Sequence, residues 1–204
     1  GSVFAAVDAA TGEAVALKVV QKYDAYASDG SLRHAVDERL VLELAAGGSP
    51  YVLQLRHAFQ TAGGLYLVSE WCGGGDLRSA LRRRPGGTLT RAEGVRLLSQ
   101  LAVAIGYLHR LGVVHRDIKA ENVMLASAPP VGADGGPDLS AAVLRLGDMG
   151  LAKKLPAGRH GRTRSFCGTD EYMAPEVVLG TPYGAAVDWW SFGVLAARLL
   201  TGRS

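Results

Sequence analysis

Two cysteines in 204 residues are too few to staple a fold. Cys72 and Cys167 stand far apart in unrelated contexts, which argues against a disulfide framework and for a reducing compartment. No apolar run approaches the roughly 20 residues a membrane-crossing helix needs. Internal repeats and long blocks of one charge are absent. The net charge of +3 leaves acidic partners open, but Arg82-Arg83-Arg84 is the sole basic cluster, so nucleic-acid binding is not expected. That cluster ends a predicted helix, where cations complement the helix dipole, and it reads more readily as a solvated terminus than as a docking patch. Aromatics make up just 7% of the chain, yet 48% of it is hydrophobic, enough to bury a core and to exclude disorder by composition.

Patterning predicts strands over 3–7 and 14–20, turning at Thr11-Gly12-Glu13, then a helix over 31–46 and strands over 52–59 and 65–70. Helices are expected over 77–84, 90–110 and 187–200. In the longest, Leu98, Leu101, Ile105 and Leu108 share a face. Trp71-Cys72-Gly73-Gly74-Gly75 cannot form a regular element and marks a hinge between two lobes, where a ligand cleft would lie. Residues 126–142, an irregular mix of Ala, Pro, Gly and Asp, read as a flexible surface insertion where a tight turn would suffice.

The chemistry concentrates in His115-Arg116-Asp117-Ile118-Lys119-Ala120-Glu121-Asn122. Asp117 can accept a proton from an attacking hydroxyl, Lys119 can neutralise charge on a transferred phosphate, and Asn122 offers an amide oxygen to a metal ion. Upstream, Ala14-Val15-Ala16-Leu17-Lys18-Val19-Val20 embeds one ammonium in an apolar strand, and a buried charge needs a partner. Glu38 on the next helix fits, with Glu43 as its rival.

In order along the chain, these runs resemble the eukaryotic protein kinase catalytic domain. Gly1-Ser2-Val3 is similar to the tail of its phosphate loop, Val15-Ala16-Leu17-Lys18 to V-A-I-K, and His115 to Asn122 to H-R-D-x-x-x-x-N. Asp148-Met149-Gly150 stands for D-F-G, followed by Ala174-Pro175-Glu176 and Asp188-Trp189-Trp190. The resemblance implies an α+β, two-lobed protein kinase-like fold truncated at both ends. Its small lobe would be residues 1–70, its hinge 71–75 and its incomplete large lobe 76–204. It further implies ATP held by Gly1, Val3, Ala16, Lys18, Glu38, Ser69, Glu70, Cys72, Met124 and Asp148. Mg²⁺ would sit on Asn122 and Asp148, with Asp117, Lys119 and Asn122 catalytic. Met149 would fill an apolar slot in a column with Leu42, Leu55 and His115. Glu176 would pair with an arginine beyond the chain. Ser69 would guard the back of the adenine pocket.

Arg164 to Glu176 is similar to the activation loop of the AGC group of serine/threonine kinases, near the ribosomal-protein kinases and protein kinase B. There Ser165 would be phosphorylated by an upstream activating kinase, the phosphate meeting His34, Arg116 and Lys153, while Thr169 positions Asp117. Asp76 and Glu121 would read substrate arginines at −3 and, more weakly, −2. Arg198 replaces a further acid expected there, and Asp170 a proline lining the +1 pocket. The implied function is ATP-dependent phosphorylation of serine or threonine in protein substrates, in an intracellular, cytoplasmic setting. A calmodulin-dependent-type kinase, a pseudokinase acting as a binding module and a small-molecule phosphotransferase are the alternatives. Intact Lys18, Asp117, Asn122 and Asp148 argue against the pseudokinase, Cys167 and the paired tryptophans against the first, and Ala174-Pro175-Glu176 against the last.

Overall fold

Short β-branched and alanine-rich segments build the first sheet of the computed structural model, which describes residues 2–22, 31–156 and 160–202. Strands β1 (Ser2–Val7) and β2 (Ala14–Gln21) are antiparallel. Between them the Asp8 carboxylate accepts from the backbone N–H groups of Ala10 and Thr11, and Gly12 takes a left-handed φ of 74°, the conformation that favours glycine in a tight turn. Helix α1 (Ser31–Ala45) follows, then β3 (Leu55–Gln60) and β4 (Gly64–Glu70), giving the order β1-β2-β4-β3. The strand expected from residue 52 starts three residues later. Leu53 N–H donates instead to Leu146 O at 3.0 Å, and Leu146 N–H to Tyr51 O at 2.8 Å, so this stretch ties the sheet to the second half of the chain.

Gly73 to Gly75 carry the chain across. Gly74 N–H donates to Leu125 O at 3.1 Å, and a Cβ on Gly74 would collide with Ser127 O and the Leu125 side chain. That close approach is why the hinge is written in glycine. Beyond it lie α2 (Leu77–Arg82), α3 (Arg91–Arg110), the strand pairs β5 (Val113–Val114) with β8 (Lys153–Lys154) and β6 (Val123–Leu125) with β7 (Leu144–Leu146), then α4 (Pro175–Val178) and α5 (Ala186–Thr201). Leu97, Leu101, Ala104, Ile105 and Leu108 of α3 sit in the main core. The buried face therefore runs through Leu97, while Leu98 is half-buried, a shift of one residue from the predicted stripe.

Two polar residues on that buried face organise the 126–142 segment. Thr90 and Glu93 form a reciprocal cap at the start of α3, and Glu93 Oε1 also accepts from Arg84 at 2.7 Å and from Leu139 N–H at 3.1 Å. Gln100 donates to Ala142 O and accepts from Leu144 N–H. Leu139 is wholly buried. The expected flexible excursion is thus anchored from inside a helix, and Arg84, expected at a solvated terminus, is 10% exposed in an ion pair. Burial works to lift the Glu93 carboxyl, but Arg84 and Thr90 hold its pKa below the ordinary glutamate value. Glu93→Ala strips a cap, leaves Arg84 without its buried partner and should cost about 3 kcal/mol. Urea unfolding checks this; a loss below about 1 kcal/mol, the worth of a cap alone, would show that Glu93 does not hold the segment.

Candidate active site

A half-buried lysine in the middle of β2 sets the site. Lys18 Nζ donates to both oxygens of Glu38 at 2.7 and 2.8 Å and lies 3.4 Å from Asp148 Oδ1. Burial presses the Lys18 pKa down, but the Glu38 and Asp148 carboxylates outweigh it and hold it above the usual lysine value. Burial raises Glu38 in turn, and the ammonium against both its oxygens keeps the pair ionic. Glu38 is 5% exposed on the inner face of α1 with Ala35, Val41, Leu42 and Ala45. Glu43, the rival, is on the outer face, paired with Arg39 at 3.6 Å. The Leu40 and Leu44 side chains also point outward, 49% and 37% exposed.

Across the cleft, Asp117 is pinned on every side. Lys119 Nζ lies 2.8 Å from its Oδ2, Asn122 Nδ2 donates to the same oxygen at 2.8 Å, and the Thr169 hydroxyl donates to Oδ1 at 2.7 Å. Lys119 also donates to Thr169 Oγ1 at 2.9 Å, which closes the ring. Burial works to raise the Asp117 carboxyl, but the hydrogen bonds from Lys119, Thr169 and Asn122 prevail and its pKa lies below the ordinary aspartate value. The group is therefore a carboxylate at neutral pH, a hydrogen-bond acceptor aimed from a fixed frame. Its contribution to folding is present above the ordinary aspartate range and is lost as pH falls through the depressed value.

The loop that carries Asp117 has to be forced into shape. Arg116 has φ 70° and Asp148 φ 49°, left-handed conformations that cost a residue with a side chain about 1–3 kcal/mol. Asp188, fully buried at the start of α5, accepts from the backbone N–H of His115 at 2.9 Å, of Arg116 at 2.8 Å and from His109 Nε2 at 2.8 Å. His115 is wholly buried, its Nε2 donating to Gly147 O at 2.9 Å while its Nδ1 accepts from Asp117 N–H at 3.3 Å. That is a packed structural role. Met149 and Leu42 are buried in one core cluster, with Leu55 packed against it.

Between these two groups is a cleft of about 530 Å³. Val3, Ala16, Ser69, Cys72 and Met124 line it together with Lys18, Glu38, Asn122 and Asp148; Gly1 lies outside the described residues. Glu70 lines it too, but its carboxylate is held by Arg145 Nε at 2.9 and 3.0 Å, latching β4 to β7. Burial, with Glu70 beside it, pushes the Cys72 thiol up to about 11, so this cysteine is no nucleophile. Asn122 spends its amide nitrogen on Asp117 O and Oδ2, and no donor among the described residues reaches its amide oxygen. One amide oxygen and one half-exposed carboxylate, Asp148, suit Mg²⁺, which is held by few protein ligands alongside substrate phosphates. No cluster of three or more metal-binding side chains occurs among the described residues.

The protein kinase domain family matches residues 1–204. The chain belongs to it. It is 38% identical to ribosomal protein S6 kinase beta of Caenorhabditis elegans over 94% of its length, 37% to human ribosomal protein S6 kinase alpha-4 over 95%, and 36% to mouse ribosomal protein S6 kinase alpha-6 over 94%. It spans 32%, 23% and 22% of those relatives. These relatives support the AGC-group reading of the activation segment.

Within this kinase fold, Lys153 approaches Ser165 through Thr163, and Arg116 lies beside Tyr183, whose hydroxyl bonds the Ser165 backbone. Lys153 donates to Thr163 Oγ1 at 3.1 Å, which lies 3.3 Å from Ser165 Oγ. Arg116 Nε donates to Leu151 O at 2.6 Å while its Nη1 is buried without a hydrogen-bond partner. His34 is exposed on α1, and no hydrogen bond joins it to Ser165 or Lys153 among the described residues. Tyr183 donates to Ser165 O, a contact the sequence did not announce. Asp188, His109 and Arg145 were also missed as parts of the site. The available signal was a carboxylate opening an apolar helix, since such a charge is buried only with partners.

Ser69 pairs with Ala16 across the sheet and lines the cleft with a small side chain. Adenine-mimicking inhibitors with bulky substituents should therefore bind, and Ser69→Met should weaken them at least ten-fold while leaving ATP turnover measurable. Equal inhibition of the two forms would show that Ser69 does not border that space.

Proposed function

We propose that the chain is the catalytic domain of an AGC-type serine/threonine protein kinase, transferring the γ-phosphate of ATP to hydroxyls of protein substrates in the cell. The observation that carries this is the Asp117 carboxylate held ionised by Lys119, Asn122 and Thr169, across one cleft from the closed Lys18–Glu38 pair. Asp117 accepts the hydrogen of the acceptor hydroxyl and orients its oxygen. Lys119, in contact with Asp117, neutralises charge on the phosphoryl group as it moves. Lys18, aligned by Glu38, holds the nucleotide phosphates. Mg²⁺ held by Asp148 and Asn122 would screen the charge on the phosphate oxygens. Asp117→Asn should lower kcat by about 10²–10⁴-fold, and Asp148→Ala should also abolish most turnover, each in a protein that still shows a cooperative melting transition. Near-native turnover in either folded variant would refute the assignment.

Phosphorylation of Ser165 by an upstream kinase is the proposed switch. The buried, unpartnered Nη1 of Arg116 supports it, since a phosphate offers that donor an acceptor and Lys153 a counter-charge. Ser165→Ala and Arg116→Ala should each lower activity about ten-fold or more, and the double variant should be no worse than either. Full activity in Ser165→Ala would mean the loop orders without phosphate.

For substrate choice, we propose arginine at −3 and weak selection at −2. Asp76 caps α2 and keeps both oxygens on Ser79, so a substrate arginine has to compete there. Glu121 holds Arg78 with Oε1 at 3.0 Å, and its buried Oε2 has no hydrogen-bond partner, leaving an acceptor for such an arginine. Asp170 is exposed beside Thr169, in keeping with polar residues at +1.

A further inference from the structure

Next to the Asp117 frame lies a second depression, a groove of about 430 Å³ whose polar rim is Arg78, Arg82, Arg198 and Glu171. It is contiguous with the catalytic loop. Ala120, three residues beyond Asp117, forms part of its wall, and Glu171 follows two residues after the Thr169 that donates to Asp117. Its floor is apolar, made by Leu81, Leu195 and Leu199. Three arginines and one glutamate line the rim; Glu171 pairs with Arg198 and Glu121 with Arg78, so Arg82 leaves the groove with one uncompensated positive charge.

Two of the three arginines are held, not loose. Arg198 Nη1 lies 2.6 Å from Glu171 Oε2, and its guanidinium stacks over the Tyr172 ring at 4.6 Å. Its side chain is 19% exposed, so the planar fork is fixed before anything binds, and one glutamate oxygen does not exhaust its five N–H donors. Arg78 is fixed through Glu121 at 3.0 Å. Arg82, exposed at the end of α2, has no hydrogen-bond or ion-pair partner among the described residues. A cation entering this groove meets like charge. An anion meets the oriented donors of Arg78 and Arg198 and the free charge of Arg82.

Resting on the kinase reading above, we propose that this groove receives an acidic side chain of the protein substrate, a carboxylate or a phosphorylated residue flanking the acceptor hydroxyl. The substrate class is thus a segment with an acidic position at fixed register from its serine or threonine, in addition to any arginine read by Glu121. Charged groups on a partly exposed rim contribute modestly, so the preference should be about five-fold rather than a thousand-fold and should shrink at high salt.

The test is kcat/KM of the whole protein with MgATP on serine peptides carrying Ala, Glu, phosphoserine or Arg at each flanking position. One register should favour Glu over Ala by about five-fold through KM, with phosphoserine at least equal to it. Arg82→Glu and Arg198→Glu should each erase or invert that ratio, and Arg82→Lys should keep it. Peptide affinity of the catalytically silenced Asp117→Asn form, by fluorescence anisotropy, should show the same ranking and the same loss in 0.5 M salt. Phosphorylation of the alanine peptide with no acidic preference at any register, or a ratio unmoved by Arg198→Glu, overturns the groove assignment and leaves the kinase reading standing. Failure to phosphorylate any peptide, with no ranking in affinity, overturns both.

Discussion

The ion pair between Lys18 and Glu38 is the contact on which the rest of the cleft depends. A lysine inside an apolar strand is tolerable only with a carboxylate against it, because an uncompensated buried charge is far costlier than a broken surface pair. That requirement fixes how α1 lies on the sheet: Glu38 faces β2, and Val41, Leu42 and Ala45 follow it into the core. Leu42 and Met149 share one buried cluster, and α1 packs against the turn that follows Asp148. Asp148 in turn lies 3.4 Å from Lys18. Charge, helix placement and the strained Asp148 backbone therefore support one another.

The large lobe obeys a similar rule with Asp188. One buried carboxylate collects two backbone N–H groups and His109, and thereby holds Arg116 in a left-handed conformation. The strain has a chemical result. It lets His115 turn inward to Gly147, leaves Asp117 facing the cleft, and keeps Arg116 Nη1 buried without a partner in the activation-segment region. Strained residues gathered at a site imply that the surroundings over-determine them, and here three acceptor contacts to one aspartate are the visible cause.

Much of this was legible in the sequence because it is local. The catalytic loop, the lysine strand and the Asp148 turn each declare their chemistry within a few residues, while the need to neutralise Lys18 points to a glutamate of the next helix and register in the kinase motif set favours Glu38 over Glu43. What was not legible depends on partners far along the chain. Asp188 serves groups more than 70 residues away, and spacing cannot show that. Residues 126–142 look structureless by composition, yet Glu93 and Gln100, polar residues on a buried helix face, anchor them. The stripe of α3 shifted from Leu98 to Leu97 because adjacent leucines leave periodicity undecided by one position. Arg198, expected only as a charge replacing an acid, is held by Glu171 and Tyr172, partners that local spacing could not show.

In the proposed mechanism Glu38 acts through Lys18 to place nucleotide phosphates against the Asp117 frame. Turnover of MgATP with a serine peptide by Glu38→Gln, measured beside wild type together with its melting temperature, tests this most directly. The kcat should fall by about ten-fold or more while the melting temperature changes by no more than a few degrees, because an uncharged amide cannot hold the ammonium as the carboxylate does. Wild-type kcat in a folded Glu38→Gln protein would contradict it.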